Sequence, residues 1–503
     1  MAVAGADSKD LTATLAASCL SPKTIALATN IPLLNFNSIK PMVTQSAPLV
    51  SLQAPKDVSL GEIEAELGKI WHSYGAASED GSFPAATRAA TFTLVVYEPE
   101  ETQHLLAALG FYTGPIDGIT GPRMVAAVRA AQEAYHLPVT GKVDMETIAK
   151  LRGEFFAKQG KAGGTPDSGT QAPQYVPDAR GSGIADAIAA QNPCRIIALC
   201  PTSGEDVGVT AQVSAYCPIQ KQSRNTLICC EYITLRGTEE ALSRSSALVE
   251  SLLIGDLPKF LWWKASPDAD QELFKRLVDT FTCVIVDSSY FHDPEAGLLR
   301  SQALIEEGVN LADLNWRRLA PWQELTAEAF DPPERRAALR EVDRVTVDYE
   351  KGNSTQALMY LGWLASRMQW HPVSYHDEGG DYELKRIQFI NAEQRQIEAE
   401  VAAIPTADSG DVAGDLVGLK LTSTNLQADC CTVLCSETLG CMRMEAGGGA
   451  QSCRVQQVTS LFDQKAEFLL SHQLQHWGQD VLYTESLALT AQILRLVGAK
   501  GES

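Results

Sequence analysis

The signatures that announce catalysis are missing from this chain. No G-x-S-x-G elbow presents a serine, no G-x-x-x-x-G-K-[ST] loop cradles a phosphate, and no G-x-G-x-x-G turn joins a strand to a helix. Histidine is scarce, at eight residues, and none falls in H-E-x-x-H. Basic charge is also in deficit: 41 Lys and Arg stand against 62 Asp and Glu, a net charge of −21. Nucleic acid and anionic membranes need a basic face, so both are poor partners for this chain. No apolar run approaches the roughly 18 residues that span a bilayer. The start, MAVAGADSKDLTATLAASC, superficially resembles a lipoprotein signal ending at Cys19. However, Asp7, Lys9 and Asp10 leave no basic leader, and no long apolar segment follows. The expectation is a cytoplasmic protein, in which most of the twelve cysteines are thiols and any disulfide is regulatory.

What is present suggests several domains of the α/β (α+β) class. Residues 1–55, rich in Ser, Thr, Pro and Asn, read as a loosely ordered tail. Residues 56–98 supply a helix, with Ile63, Leu67, Ile70 and Trp71 on one face, and then a strand, RAATFTLVVYE. Residues 99–155 alternate short helical runs with Gly/Pro turns. The runs GPIDGITGP (114–122) and LPVTGKVD (137–144) resemble the peptidoglycan-binding-like domain, a three-helix module, although Ala131 precedes Gln132 where that family has Phe. Asp117 and Asp144 fit turns better than ligands. Residues 156–190 are linker-like. From 191 to 345 buried-strand runs alternate with amphipathic helices, which predicts a mixed sheet covered by helices. Residues 346–503 predict a strand-rich domain closed by helices.

The chemically pointed stretch is Cys430–Cys453, which holds five of the cysteines. If VLC and CMRM pair as a hairpin across SETLG, Cys435 and Cys441 lie close enough to bridge. So small a loop would alter local geometry more than global stability, which suits a switch. Cys430, Cys431 and Cys453 are alternative partners. Cys431-x₃-Cys435 has zinc-knuckle spacing, but no second knuckle completes four ligands. Packing as small apolar residues is the bland alternative, and Cys229, Cys230 and Cys283 in strands read mostly that way. Elsewhere, Asp287-Ser288-Ser289-Tyr290 ends a strong strand, where α/β sheets place ligands, though a satisfied turn explains it more simply. His472 and His476 share a helix face without a carboxylate in the motif. Trp262 and Trp263 alternate faces of a strand, so one could be core and the other exposed. Trp263, Trp316 and Arg317 are candidate partner contacts, being of the types enriched at binding hot spots.

Taken together, RAATFTLVVYE, NPCRIIALCP, LVESLLIGDLPKFLWW, LFKRLVDTFTCVIVDSSYF and DLNWRRLAPWQELTAEAFD resemble the glucose-6-phosphate dehydrogenase assembly protein family, OpcA. The resemblance covers most of 59–98 and 190–375, and the inserted module with a cysteine-rich C-terminal region looks like the cyanobacterial form. It implies a non-catalytic protein without cofactor that binds glucose-6-phosphate dehydrogenase and promotes its active, assembled state in the oxidative pentose phosphate pathway. Thioredoxin is then the expected reductant of the switch cysteines. The rival readings are a sugar-phosphate-binding enzyme using Asp287–Tyr290, and a cell-envelope binder using residues 104–151.

Overall fold

Two sheets organise the chain. The computed structural model describes residues 49–498, except for 77–84, 99–100, 113–121, 142, 144, 163–187, 189–191, 203–205, 219–225, 268–270, 292, 332, 406–411, 413, 426–428, 437–440, 449–454 and 461–465. The first elements are Leu49–Val58 (β1), Ile63–Tyr74 (α1), Ala85–Arg88 (β2) and Thr93–Tyr97 (β3). Thus β1 begins inside the segment expected to be a loose tail. It is held by antiparallel pairing with β5 rather than by an apolar pattern of its own. The RAATFTLVVYE run divides into the end of β2 and the whole of β3.

Glu101–Leu109 (α2), Pro122–Ala134 (α3) and Met145–Ala162 (α4) form the small helical module. Leu105, Leu106, Met124, Val128 and Leu151 make its core. Buried Gln132 is its polar hub: its amide nitrogen donates to Thr140 Oγ1 and Thr147 Oγ1 (both 3.1 Å), and its oxygen accepts from Thr140 N and Gly141 N. Gly141, at φ +71°, tolerates the left-handed conformation that this tight turn needs.

The chain then runs through Arg195–Pro201 (β4), Thr210–Pro218 (β5), Thr226–Gly237 (β6), Glu239–Arg244 (α5), Ser246–Ser251 (α6), Lys259–Trp263 (β7), Glu272–Val278 (α7), Cys283–Val286 (β8), Pro294–Glu306 (α8) and Leu311–Asp313 (β9). The first sheet has the order β1-β5-β6-β4-β3-β7-β8-β9, with β2 beside β6. From β6 to β9 every neighbour is parallel, and β5 and β1 extend it antiparallel. Thr238 caps α5 by accepting from Ala241 N. The helix breaks at Ser245 (φ −99°, ψ 13°), so the amphipathic run 238–254 is two short helices.

Leu314–Arg318 (α9), Ala320–Phe330 (α10) and Pro333–Leu339 (α11) lead to the second sheet. It comprises Arg344–Glu350 (β10), His371–Gly379 (β11), Leu384–Ile390 (β12), Gln396–Ile404 (β13), Leu416–Thr422 (β14), Asp429–Ser436 (β15), Cys441–Gly448 (β16) and Val455–Ser460 (β17), with Thr355–Met368 (α12) between β10 and β11. The order is β11-β12-β13-β10-β14-β15-β16-β17, antiparallel except for β10 with β13. Ala466–Gln475 (α13) and Val481–Gly498 (α14) close the chain. The mixed α/β class, helix-covered sheet and strand-rich second half therefore match the sequence reading.

The two faces of the first sheet are covered differently. Helices α1, α5, α6 and α7 bury Ile63, Leu67, Leu242, Val249, Leu273 and Phe274 against one face. The other face, with Phe92, Leu94, Phe260 and Trp262, is covered by Leu470 and Leu474 of α13. Among the described residues no helix is long and apolar enough to cross a membrane.

Candidate functional site

In an open parallel sheet, ligands bind at the carboxyl ends of strands where the strand order reverses direction. Here that point lies between β3 and β7: β4 and β6 follow on one side, β8 and β9 on the other. Buried side chains of the chain itself gather at this point. Tyr97 and Trp263, at the ends of the two strands, stack with centroids 3.8 Å apart and planes 11° apart. Lys264 Nζ donates to Glu98 Oε1 at 2.6 Å, with both side chains largely buried, and lies 4.4 Å from the centroid of the Trp262 ring. In sequence, the run from Glu98 to Glu101 carries none of the glycines that a dinucleotide-binding turn uses.

The ends of β8 and β9 are closed in a different way. Asp287 receives both arms of the Arg318 guanidinium, at 2.7 and 2.8 Å, and accepts from Ser289 N and Oγ. Arg318 is thereby held further toward its charged form by Asp287, against the opposing effect of burial. Asp313 accepts from Ser288 N (3.0 Å) and Asn315 N (2.8 Å). Burial and the nearby Asp287 charge push its carboxyl up to about 6. The second domain reaches into this node. Asn353 donates to the carbonyls of Ser288 and Ser289, Asn315 donates to Thr355 Oγ1 at 2.8 Å, and Gln356 joins Asn315 Oδ1 to Asp415 Oδ1 (2.9 and 2.6 Å). Burial also raises the Asp415 carboxyl to about 6. The Asp287–Tyr290 strand end thus pins two domains together with its polar groups already engaged.

Of the candidate contact residues the two tryptophans lie inside the molecule and Arg317 is half-buried. Trp263 is fully buried, and so is Trp262, because helices cover both faces of their sheet; the expectation that one would be exposed fails for that reason. Trp316 is buried against Tyr483 and donates to Asp480 Oδ2 at 3.1 Å. Arg317 turns to α13, where it meets Gln473 Oε1 and His472 Nδ1. His472 and His476 stack on one another at 4.5 Å, and burial lowers the His472 pKa. Among the described residues no group of three or more His, Cys, Asp or Glu is placed to hold a metal.

The cysteines fall into two sets. In the second sheet Cys430, Cys431 and Cys435 lie on β15, and Cys441 opens β16. The hairpin pairs Ser436 with Cys441 and Cys435 with Met442, so Cys435 and Cys441 are one register step from being opposite. Cys453 lies outside the described residues. In the first sheet Cys217 of β5 and Cys229 of β6 form a disulfide, with Cα atoms 4.2 Å apart. Cys229 therefore does not act merely as a packing thiol. The pairing was hidden in the sequence because it depends on the β5–β6 register, which brings Cys217 opposite Cys229. Cys230 and Cys283 are free and buried, and burial pushes the Cys283 thiol up to about 12. The sequence also concealed Arg318: beside Arg317 it reads as a second surface cation, yet it is the buried partner of Asp287.

The comparisons with known proteins agree with this anatomy. Residues 185–303 match the model of the glucose-6-phosphate dehydrogenase subunit N-terminal domain, 309–487 that of its C-terminal domain, and 98–151 that of a peptidoglycan binding domain. The chain is thus a two-domain protein of the glucose-6-phosphate dehydrogenase subunit class with a helical insertion. It is 63% identical to the OxPP cycle protein OpcA of Nostoc punctiforme over 91% of this chain and 97% of that one. It is 59% identical to its namesake in Synechocystis over 90% and 95%. The chain belongs to the OpcA family. Among solved structures, an aldose-aldose oxidoreductase from Caulobacter crescentus aligns over 52% of this chain and 80% of its own at 13% identity and a TM-score of 0.33, too slight a likeness to build on.

Proposed function

We propose that this chain is a non-catalytic, allosteric activator and assembly partner of glucose-6-phosphate dehydrogenase that acts in the cytoplasm and is tuned by the redox state of Cys435 and Cys441. What supports the non-catalytic part is the arrangement at the switch point, where Tyr97 stacks on Trp263 and the largely buried Glu98 and Lys264 pair with each other. The family supports the partner. An activator must bind the active conformation of the enzyme more tightly than the inactive one, because equal binding shifts nothing. The switch cysteines lie at the mouth of the β15–β16 hairpin, where making or breaking a bridge would change the local register and exposure. Thioredoxin is the reductant in this reading.

The test is to titrate the cognate dehydrogenase with the purified chain, oxidised and thioredoxin-reduced. A lowered KM or raised kcat that differs between the two states is expected, with no turnover of sugar phosphates by the chain alone. Unchanged kinetics with binding confirmed would sink the activator reading. A Cys435→Ser/Cys441→Ser variant that responds to thioredoxin like the parent would sink the switch.

A further inference from the structure

The junction between the two domains gathers carboxyl groups around one guanidinium. Asp287 follows β8 and Asp313 ends β9 in the first sheet, while Glu350 ends β10 and Asp415 precedes β14 in the second. Arg318 gives both arms to Asp287, which leaves Asp313 and Asp415 without an ion-pair partner among the described residues. These two acids come from different domains, yet a continuous line of hydrogen bonds joins them. Asn315 N donates to Asp313 Oδ1 at 2.8 Å, and Gln356 Nε2 donates both to Asn315 Oδ1 (2.9 Å) and to Asp415 Oδ1 (2.6 Å).

The far side of Asp313 is less well served. Its Oδ1 accepts from two backbone amides, but its Oδ2 is buried and accepts from none of the described residues. The Tyr483 hydroxyl on α14 is also buried without a partner, close enough for the Asp313 charge to act on it. The titratable groups facing Asp313 are Asp287 after β8, Tyr483 on α14 and, behind that ring, Asp480, which accepts from Trp316 and from Tyr483 N. Those facing Asp415 are Arg318, Glu350 and Asp287. An ionised carboxyl with an unsatisfied buried oxygen is costly, and retaining a proton avoids that cost. Burial comes first at both acids. Asp287 adds to it at Asp313, and Glu350 and Asp287 add to it at Asp415 against Gln356 and Arg318, so that both carboxyls stand near 6.

We propose that this junction is a proton-operated clasp: with Asp313 and Asp415 protonated the two domains are held together at this point, and loss of the two protons loosens them there without unfolding either domain. Opening admits water to both carboxyls and restores their ordinary acidity, so the open form releases protons that the closed form keeps. Closure is therefore weakened as pH rises from the ordinary carboxylate range toward 6, and the effect levels off above it. Ionisation of both acids adds two negative charges where Asp287 has already engaged the guanidinium of Arg318.

Hydrogen–deuterium exchange of the full chain between pH 5.5 and 7.5, corrected for the intrinsic pH dependence of exchange, tests the clasp. Amides of residues 286–291, 313–318 and 353–358 should lose about tenfold in protection across that range. They should also exchange faster than those of β4 at every pH, because the clasp opens while the first sheet stays folded. Asp313→Asn/Asp415→Asn, which removes both titrations while keeping side-chain size, should flatten the pH profile. Where the double variant fails to fold, Asp415→Asn alone should leave about a threefold step. Protection at the junction that does not change with pH overturns the proposal. So does a full step that survives the substitutions, or junction amides as protected as those of β4, since the junction then opens only when the whole chain unfolds.

Discussion

The two sheets treat charge in opposite ways. The first is packed on both faces and closed at its carboxyl edge by groups removed from water: Arg318 with Asp287, Glu98 with Lys264, and Asp313 pushed toward neutrality. The second carries pairs such as Arg344–Glu398 and Arg386–Glu400 at half-exposed positions, where solvent screens them. A buried pair contributes little net stability, yet breaking it leaves an uncompensated charge, whereas an exposed pair contributes little and is lost at little cost. The first sheet is therefore intolerant of change at the edge where open parallel sheets bind their ligands. The second can alter these exposed pairs without losing its fold.

That contrast sets the expected effects. The largest is Arg318→Ala, which strands the Asp287 carboxylate and should cost about 3–5 kcal/mol in urea unfolding. Replacing both Cys217 and Cys229 by Ser should cost about 2–4 kcal/mol. Strong reductant should act slowly on the folded parent, since both sulfurs are buried. The buried acids predict an unusual pH slope. Native Asp313 titrates near 6 against an ordinary 3.8, so between those pH values the folded chain holds a proton that the unfolded chain has released. Stability should fall as pH rises through that window and then level off. Asp313→Asn should remove up to about 3 kcal/mol of that slope. Gly362→Ala would press a methyl group to 2.1 Å from Thr490 Oγ1, where α12 meets α14, and should cost about 1–3 kcal/mol of thermal stability. The smallest effect belongs to the exposed pairs of the second sheet: Arg386→Ala should change stability by less than about 0.5 kcal/mol. An equally large loss there would erase the distinction between the sheets.

How much of this was legible in the sequence follows the same physics. Strands β4, β7 and β8 stood out because a parallel strand buried on both faces is a continuous apolar run. By contrast, β1 and the three-residue β9 carry no pattern of their own; only their neighbours define them. The tryptophans misled because alternation predicts an exposed member only when one face of the sheet is open. Arg318 was invisible because its partner Asp287 lies 31 residues away on another element, and the Cys217–Cys229 bond because it depends on the β5–β6 register although the two cysteines are 12 residues apart. The Asp287 strand end was rightly singled out as polar, but its engagement by Asn353 and Arg318 could not be seen without the fold.

Helix α13 has a consequence for how the molecule comes into being. It follows every strand of the second sheet, yet Leu470 and Leu474 complete the apolar face of the first. As the chain leaves the ribosome, Phe92, Leu94, Phe260 and Trp262 must wait for residues about two hundred positions or more downstream before that face is sealed. The first domain cannot finish folding ahead of the second. Premature termination anywhere before α13 leaves a sticky sheet surface behind, so quality control has a full-length test built into the topology.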